Sequence, residues 1–221
     1  MKDHYHIDLD KYSLAKFKNS LQTRALIPSR VSLKDELDQR FKILEEHGIT
    51  NLKNLIDALK TKPKIEQFSQ ETGLTTDYLT LLRREANSYL PKPTRLDKFP
   101  GLAAEDLEKL AALGIVNTRQ LLKEAKTKAQ QERLSQHTEI PLKRMGEIVG
   151  LSDLSRVYGV GPVFARLIYD VGIRSIAEFV GYSAEEFIRI YEEQTQKKAD
   201  FGVGEIQFSL ELAKELAQAV E

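Results

Sequence analysis

The feature that most constrains the fold of this chain is an internal duplication of helical sequence. Residues 48–86 align without a gap on residues 114–152, an offset of 66, and eleven of the 39 aligned positions are identical. In both copies the apolar residues recur at spacings of three and four, which is the period of an amphipathic α-helix. Repeats of this size stack on one another to bury a shared apolar surface. The sequence therefore predicts an all-α chain of tandem helical modules, with about a dozen mostly short helices.

The repeat also suggests where the units begin and end. At the same offset, Leu33, Phe41 and Leu44 fall on Phe99, Leu107 and Leu110. We predict a degenerate N-terminal unit over residues 1–92, a second unit over residues 93–221, and a further partial repeat from about Leu154. Pro91 and Pro93 interrupt the helical pattern and form a candidate hinge between the units. The last two helices are predicted at about residues 184–196 and 205–219, the first opening with a capping box of Ser183 and Glu186.

Composition and charge narrow the classes of function. The 221 residues contain 33 basic and 33 acidic side chains and no cysteine, which excludes disulfides, thiolate metal sites and cysteine nucleophiles. Without a signal peptide pattern or a long apolar run, we expect a cytoplasmic protein that has no membrane contact. The zero net charge hides an uneven distribution, since residues 116–147 carry +3 and residues 182–221 carry −5.

A Gly-Val-Gly turn between two apolar helices is the most informative local pattern. It lies in LSRVYGVGPVFARLIYDVGI, residues 154–173, which fits the pattern hydrophobic-Gly-hydrophobic-Gly-x-x-x-Ala. We expect positive φ angles at Gly159 and Gly161, Val160 inside the hairpin, and the small Ala165 where the helices approach closely. The stretch resembles the helix-hairpin-helix motif.

Weaker copies of this pattern occur elsewhere. Residues 96–115 align on residues 154–173, but the second glycine of the turn is replaced by Ala103. In the N-terminal unit the counterpart of Gly101 is Asp35, and the spacing from Leu33 to Leu44 predicts one continuous helix in which the hairpin is lost. The Gly-Val-Gly of residues 202–204 follows a polar stretch and is interpreted as a loop before the last helix.

The order of these patterns from residue 96 to about residue 218 resembles the DUF4332 family, a helix-hairpin-helix-related domain of unknown function. The resemblance rests on a hairpin, a Gly-Ile turn, an S-x-x-T-E-I segment, the GLSDLSRVYGVG hairpin and an S-A-E-E-F helix. The preceding part, which ends RREANSYLPKP, resembles a further degenerate unit of the same kind. Membership would imply an all-α fold and no established chemistry.

The leading functional hypothesis is a non-enzymatic module that binds the nucleic-acid backbone without reading sequence. Helix-hairpin-helix turns present backbone N–H groups and a helix N-terminus to a phosphate, usually with a nearby cation. The candidates at the second hairpin are the turn Gly159, Val160 and Gly161 with the cations Arg156 and Arg166. Weaker candidates are Gly101 and a basic set in the duplicated region: Lys126, Lys128, Arg133, Lys143 and Arg144.

The alternative is a protein–protein interaction scaffold whose hairpins are purely structural. Pro162 removes one N–H group from the second turn, and Val163 stands where a basic residue would assist a phosphate. At the first hairpin Glu105 and Asp106 follow the turn, and their carboxylates would repel a phosphate. The pattern does not determine the oligomeric state.

An enzyme is the weakest interpretation. The sequence contains no phosphate-binding loop, nucleophile elbow or dinucleotide fingerprint. His4 and His6 lie in an N-terminus expected to be frayed, and His47 and His137 stand alone without other ligands at metal-binding spacing. We therefore expect no catalytic residues, no metal and no cofactor.

Overall fold

The computed structural model describes residues 5–216, and over this range the chain is all-α. It contains thirteen α-helices and two short 3-10 helices, with no β-strand among the described residues. The predicted fold class and the predicted number of helices are therefore confirmed. Contacts divide the described chain into two compact units, one of residues 7–90 and one of residues 5–6 with residues 91–216.

The first unit is built around aromatic packing and one buried ion-pair cluster. Phe17 contacts both Phe41 and Tyr89 through their rings, while the fully buried Glu85 pairs with Arg24 and Arg30. Its helices are α1 (Leu14–Thr23), a 3-10 helix (Pro28–Lys34), α2 (Leu37–Glu46), α3 (Leu52–Ala58), α4 (Lys62–Thr72) and α5 (Thr76–Ser88).

The continuous helix predicted across Asp35 is wrong. The 3-10 helix ends at Lys34, Asp35 is extended, and Glu36 takes a left-handed conformation with φ of 48° before α2 begins. Side-chain bonds hold the segment before the break, because Lys34 Nζ donates to the carbonyl oxygens of Gln22 and Arg24. A turn therefore precedes α2, close to the position where the other repeats have theirs.

The second unit contains the remaining elements. They are a 3-10 helix (Leu96–Lys98), α6 (Ala104–Ala112), α7 (Thr118–Glu124), α8 (Lys128–Thr138), α9 (Leu142–Leu154), α10 (Pro162–Asp170), α11 (Ile176–Phe179), α12 (Ala184–Thr195) and α13 (Val203–Leu216). The capping box that begins α12 is confirmed. The last helix begins at Val203, so the predicted loop over residues 202–204 is wrong beyond Gly202. Residues 217–219, predicted to be helical, lie outside the described residues.

The duplication is visible in the helix boundaries. Shifting α3, α4 and α5 by 66 residues reproduces the boundaries of α7, α8 and α9, and shifting α6 by 58 residues reproduces those of α10. Each repeat turns at a left-handed glycine, Gly48, Gly114 or Gly172, with φ of 79°, 75° and 97°. The isoleucine after each glycine donates its N–H to a carbonyl of the preceding helix, at 3.0–3.2 Å. Residues 5–216 therefore contain three copies of one module, the first from α2 to α5, the second or middle one from α6 to α9, and the third beginning with α10.

The second and third modules pack together within the second unit, where α9 lies against α10. Gly150 permits this close approach, because a Cβ built on it would lie 2.5 Å from the Arg174 carbonyl oxygen and 2.8 Å from the Tyr169 ring. Across residues 5–216, none of the helices combines the length and apolarity that a membrane span requires.

Candidate functional site: the two glycine turns

The turn between α9 and α10 uses its two glycines differently. Helix α9 ends at Leu154, and Gly159 takes the predicted positive φ, at 78°. Val160 is buried as predicted, and its N–H donates to the carbonyl of Val157. The expected positive φ at Gly161 is wrong: this residue is extended, with φ of −86°, and is the N-cap of α10. An extended backbone is typical of an N-cap and is open to any residue, so this position does not require glycine.

The first turn follows the same geometry. Gly101 has φ of 80°, while Ala103 is the N-cap of α6 with φ of −71°. Because the second position of the turn is an extended N-cap, alanine can replace glycine there without strain. The helical element before this turn is only the three-residue 3-10 helix at Leu96–Lys98, so residues 96–115 do not form two full helices.

Arg156 lies in the core and is unavailable to a phosphate. Its side chain is 1% exposed and its guanidinium donates to Asp153 Oδ1 at 2.6 Å, to the Tyr5 carbonyl at 3.1 Å and to the Leu216 carbonyl at 3.3 Å. This burial disfavours the predicted contact of Arg156 with nucleic acid, which stays a prediction. It joins residues from near both ends of the described chain to the end of α9.

The partner of Arg156 is an equally buried carboxylate. Asp153 Oδ2 accepts a bond from the N–H of Ile176 at 2.9 Å, at the start of α11. Burial raises the pKa of Asp153, and this effect is opposed by the charge of Arg156 and by the Ile176 bond. The arrangement is a closed internal network with no group directed to a ligand.

Arg166 also makes intramolecular contacts. Its guanidinium pairs with Glu147 at 2.7 Å and with Asp170 at 3.2 Å, and Nε donates to the Pro100 carbonyl at 2.8 Å. A Cβ built on Gly101 would lie 3.5 Å from this guanidinium. The structure therefore brings Arg166 to the first turn, where it joins α9 and α10 to residues 100–101.

The weaker basic candidates occupy different surroundings. Arg144 pairs with the buried Asp106 at 3.1 Å, which gives that arginine a structural contact. Arg133 lines a groove between α7 and α8. Lys128 and Lys143 are exposed and Lys126 is half-buried. Lys126 lies between α7 and α8, while the other four lie on α8 and α9, so the basic set does not belong to one turn.

Two structural residues were missed by the sequence predictions. Tyr5 is buried, and its hydroxyl lies 2.6 Å from Thr118 Oγ1, so the expectation of a frayed terminus is wrong for this residue. Glu85 is fully buried between Arg24 and Arg30, but a charged residue does not contribute to the apolar periodicity from which core positions were predicted. The spacing of Asp153 and Arg156, three residues apart in an apolar stretch, is the one sequence signal that could have indicated a buried pair.

Comparison with known proteins gives a family and no activity. The model of a domain of unknown function, DUF4332, matches residues 100–216. No curated protein and no solved structure matches the chain.

Proposed function

We propose that this chain, which belongs to the DUF4332 family, is a non-enzymatic helical module that binds other proteins and whose glycine turns are packing elements. The same proposal includes the interpretation of these turns as helix-hairpin-helix motifs and the cytoplasmic location expected from the sequence.

The proposal rests on the observation that both hairpin arginines have partners within the protein. Arg156 is enclosed by Asp153 and two backbone carbonyls, and Arg166 is held by two carboxylates and the Pro100 carbonyl. Arg156 is therefore buried at the second turn, and Arg166 at the first turn is already paired with two carboxylates, so neither arginine is free to pair with a phosphate. Because phosphate contacts by Lys and Arg supply most of the affinity for nucleic-acid backbone, this environment disfavours such binding.

Exposed apolar side chains on the second unit support a protein partner. Val163 follows the second turn and is 63% exposed, and Leu142 begins α9 in an exposed position. Valine and leucine side chains on a surface gain free energy when a partner removes them from water, by about 25 cal/mol per Å² of apolar area. These side chains have neither a hydrogen-bond donor nor a positive charge with which to bind a phosphate.

The second candidate function is binding of the nucleic-acid backbone without sequence readout. Gly159 and Gly161 are exposed at the second turn, and Lys128 and Lys143 add exposed positive charge to the unit. This candidate now depends on lysines away from the turns, since Arg156 and Arg166 have internal partners.

A salt titration separates the two candidates. Fluorescent single-stranded and duplex oligonucleotides are titrated with the full chain by anisotropy, from about 50 mM to about 200 mM salt. The proposal predicts no saturable binding at the lowest salt concentration. Saturable binding would overturn it in favour of the nucleic-acid candidate if the logarithm of the association constant falls linearly with the logarithm of the salt concentration.

A further inference from the structure

The middle module contains an open groove that the glycine turns do not explain. The groove has a volume of about 550 Å³, within the range of about 300–1,000 Å³ that is typical of ligand pockets. We call it the middle groove; it lies among the turn after α6, α7 and α8 and is lined by Leu113, Gly114, Ile115, Gln120, Lys123, Glu124, Gln130, Arg133, Leu134 and His137.

The middle groove combines an apolar floor with a basic rim. Ile115 and Leu134 are buried, whereas Leu113 is 44% exposed. Lys123 and Arg133 are exposed, and within residues 5–216 neither has a carboxylate partner. Glu124 is the one acidic residue in the lining, so the rim carries more positive than negative charge.

Two glutamines in the lining of the groove form hydrogen bonds with the backbone at the start of α7 and of α8. The Gln120 side chain accepts the N–H groups of Val116 and Asn117 at 2.9 and 3.2 Å. The Gln130 side chain accepts the N–H of Thr127 at 2.9 Å. The Asn117 and Thr127 bonds belong to the capping boxes at the start of α7 and of α8. A groove with walls fixed in this way loses little conformational entropy when it is occupied.

The first module has different side chains at the positions that line the middle groove. At an offset of 66 residues, Leu113 and Leu134 correspond to His47 and Phe68, whose rings contact each other with centroids 6.0 Å apart. Lys123 corresponds to Asp57, and the neighbouring Lys64 donates to the Asp57 carbonyl at 3.0 Å. In the middle module the ring pair is replaced by two leucines and the acidic residue by a lysine.

From this combination we infer that the middle groove binds a short acidic segment of another protein that also carries apolar side chains. The segment's leucine-like side chain would contact Leu113, Ile115 and Leu134, and its carboxylates would face Lys123 and Arg133. A nucleic-acid strand fits less well, because the lining has no Phe, Tyr or Trp ring on which a base could stack. The inference rests on the proposed function and assigns a surface to it.

Substitutions that copy residues of the first module into the middle module test this inference. A shape graft, Leu113→His with Leu134→Phe, introduces the ring pair of the first module, and a charge graft, Lys123→Asp, introduces its acidic residue. Both use residues that fold at the same helix positions in the first module. Leu113→His alone, which alters an exposed side chain, is a milder variant in case the double substitution disturbs folding. Lys198→Asp changes an exposed lysine outside the groove by the same charge and is the control.

A random peptide library displayed on phage is selected on the full chain, and enriched peptides are measured by anisotropy against each variant. We expect peptides that combine Glu or Asp with Leu, Ile or Phe, and a loss of affinity of about tenfold on both grafts with none on Lys198→Asp. Circular dichroism melting checks that each variant is folded.

The outcomes separate this inference from the proposed function. If the peptides bind the folded grafts as tightly as they bind the unsubstituted chain, the middle groove is not their binding surface. The proposed protein binding would then belong to another surface. Failure to enrich any peptide, or enrichment of basic peptides, would also overturn the inference. Salt-dependent oligonucleotide binding would overturn the proposed function itself.

Discussion

The two glycines of the second turn show how residues in one motif can have separate reasons for being there. Gly159 has φ of 78°, a region that L-residues other than glycine enter at a cost of about 1–2 kcal/mol. Gly161 is extended, and a Cβ built on it meets no atom within 4 Å. The sequence pattern treats the two positions alike, because both are glycine and only the backbone distinguishes them.

A pair of alanine substitutions measures that difference. Gly159→Ala is expected to destabilise the protein by about 1–2 kcal/mol through its backbone conformation, since the new Cβ would only touch Ser209 Oγ at 3.8 Å. Gly161→Ala is expected to change stability by less than about 0.5 kcal/mol, because the restriction of the unfolded chain by alanine is offset by its weaker N-cap preference. Urea unfolding of both variants checks the prediction, and equal losses would contradict the assigned geometry.

The burial of Arg156 gives a second prediction at this scale. Arg156→Met is expected to cost about 3–5 kcal/mol, because it leaves Asp153 charged and unpaired in the core. Adding Asp153→Asn to that variant removes the uncompensated charge and is expected to restore part of the loss. Unfolding by urea measures both. A loss below about 1 kcal/mol for Arg156→Met would indicate a solvent-exposed arginine, as the phosphate hypothesis requires.

At the scale of the element, side-chain caps determine where the helices of the modules begin. Capping boxes open α7, α8 and α12, through Asn117 with Gln120, Thr127 with Gln130, and Ser183 with Glu186. Of these three boxes only the last contains a titratable group. Hydrogen bonds from the backbone N–H and the side chain of Ser183 lower the pKa of Glu186 below its ordinary value of 4.5.

This shift makes the stability contribution of α12 depend on pH. A carboxylate with a lowered pKa stabilises the folded state above its ordinary pKa and loses that contribution as the pH falls through the lowered value. Glu186→Gln keeps the geometry of the other two boxes and removes the titration. Between about pH 5 and about pH 3 the original chain is expected to lose more stability than the variant. Thermal melts across this range check it, and parallel losses would contradict the role assigned to Glu186.

Helix boundaries also show what sequence can and cannot predict here. The spacing of apolar residues and the repeat offset predicted the all-α class, and the pattern of glycine turns identified the family. The break at Asp35 and Glu36 was missed because the apolar spacing continues across it and a single Asp without Gly or Pro is a weak turn signal. The roles of Arg156 and Arg166 were missed because they depend on partners such as Tyr5 and Pro100, which lie far away in sequence.

At the scale of the whole molecule, residues near the N-terminus belong to the unit that holds most of the later sequence. Tyr5 is buried in the second unit, where its hydroxyl meets Thr118 and its carbonyl accepts Arg156, whereas Tyr12 is buried in the first unit against the Tyr89 ring. The chain therefore passes from one unit to the other within a few residues. The effects of the two tyrosines on stability should be separable.

Hydrogen exchange of the full chain tests this separation. Tyr5→Ala is expected to cost about 3 kcal/mol and to speed exchange of the amides of α7 and α9, because it removes a large buried ring and the Thr118 bond. The amides of α3 and α4 should keep their protection. Tyr12→Ala is the matched control and should give the opposite distribution. Equal loss of protection in both units after Tyr5→Ala would contradict the assignment of residue 5 to the second unit.

The central claim is that the glycine turns pack the modules together and do not hold a nucleic-acid backbone. The most direct measurement is an NMR titration of the ¹⁵N-labelled full chain with a single-stranded and a duplex oligonucleotide at about 50 mM salt. The amide signals of Gly101, Gly159 and Gly161 report on the two turns. The account predicts that these three signals stay unchanged up to the highest oligonucleotide concentration. Saturable shifts of Gly159 and Gly161 that diminish as salt is added would contradict it.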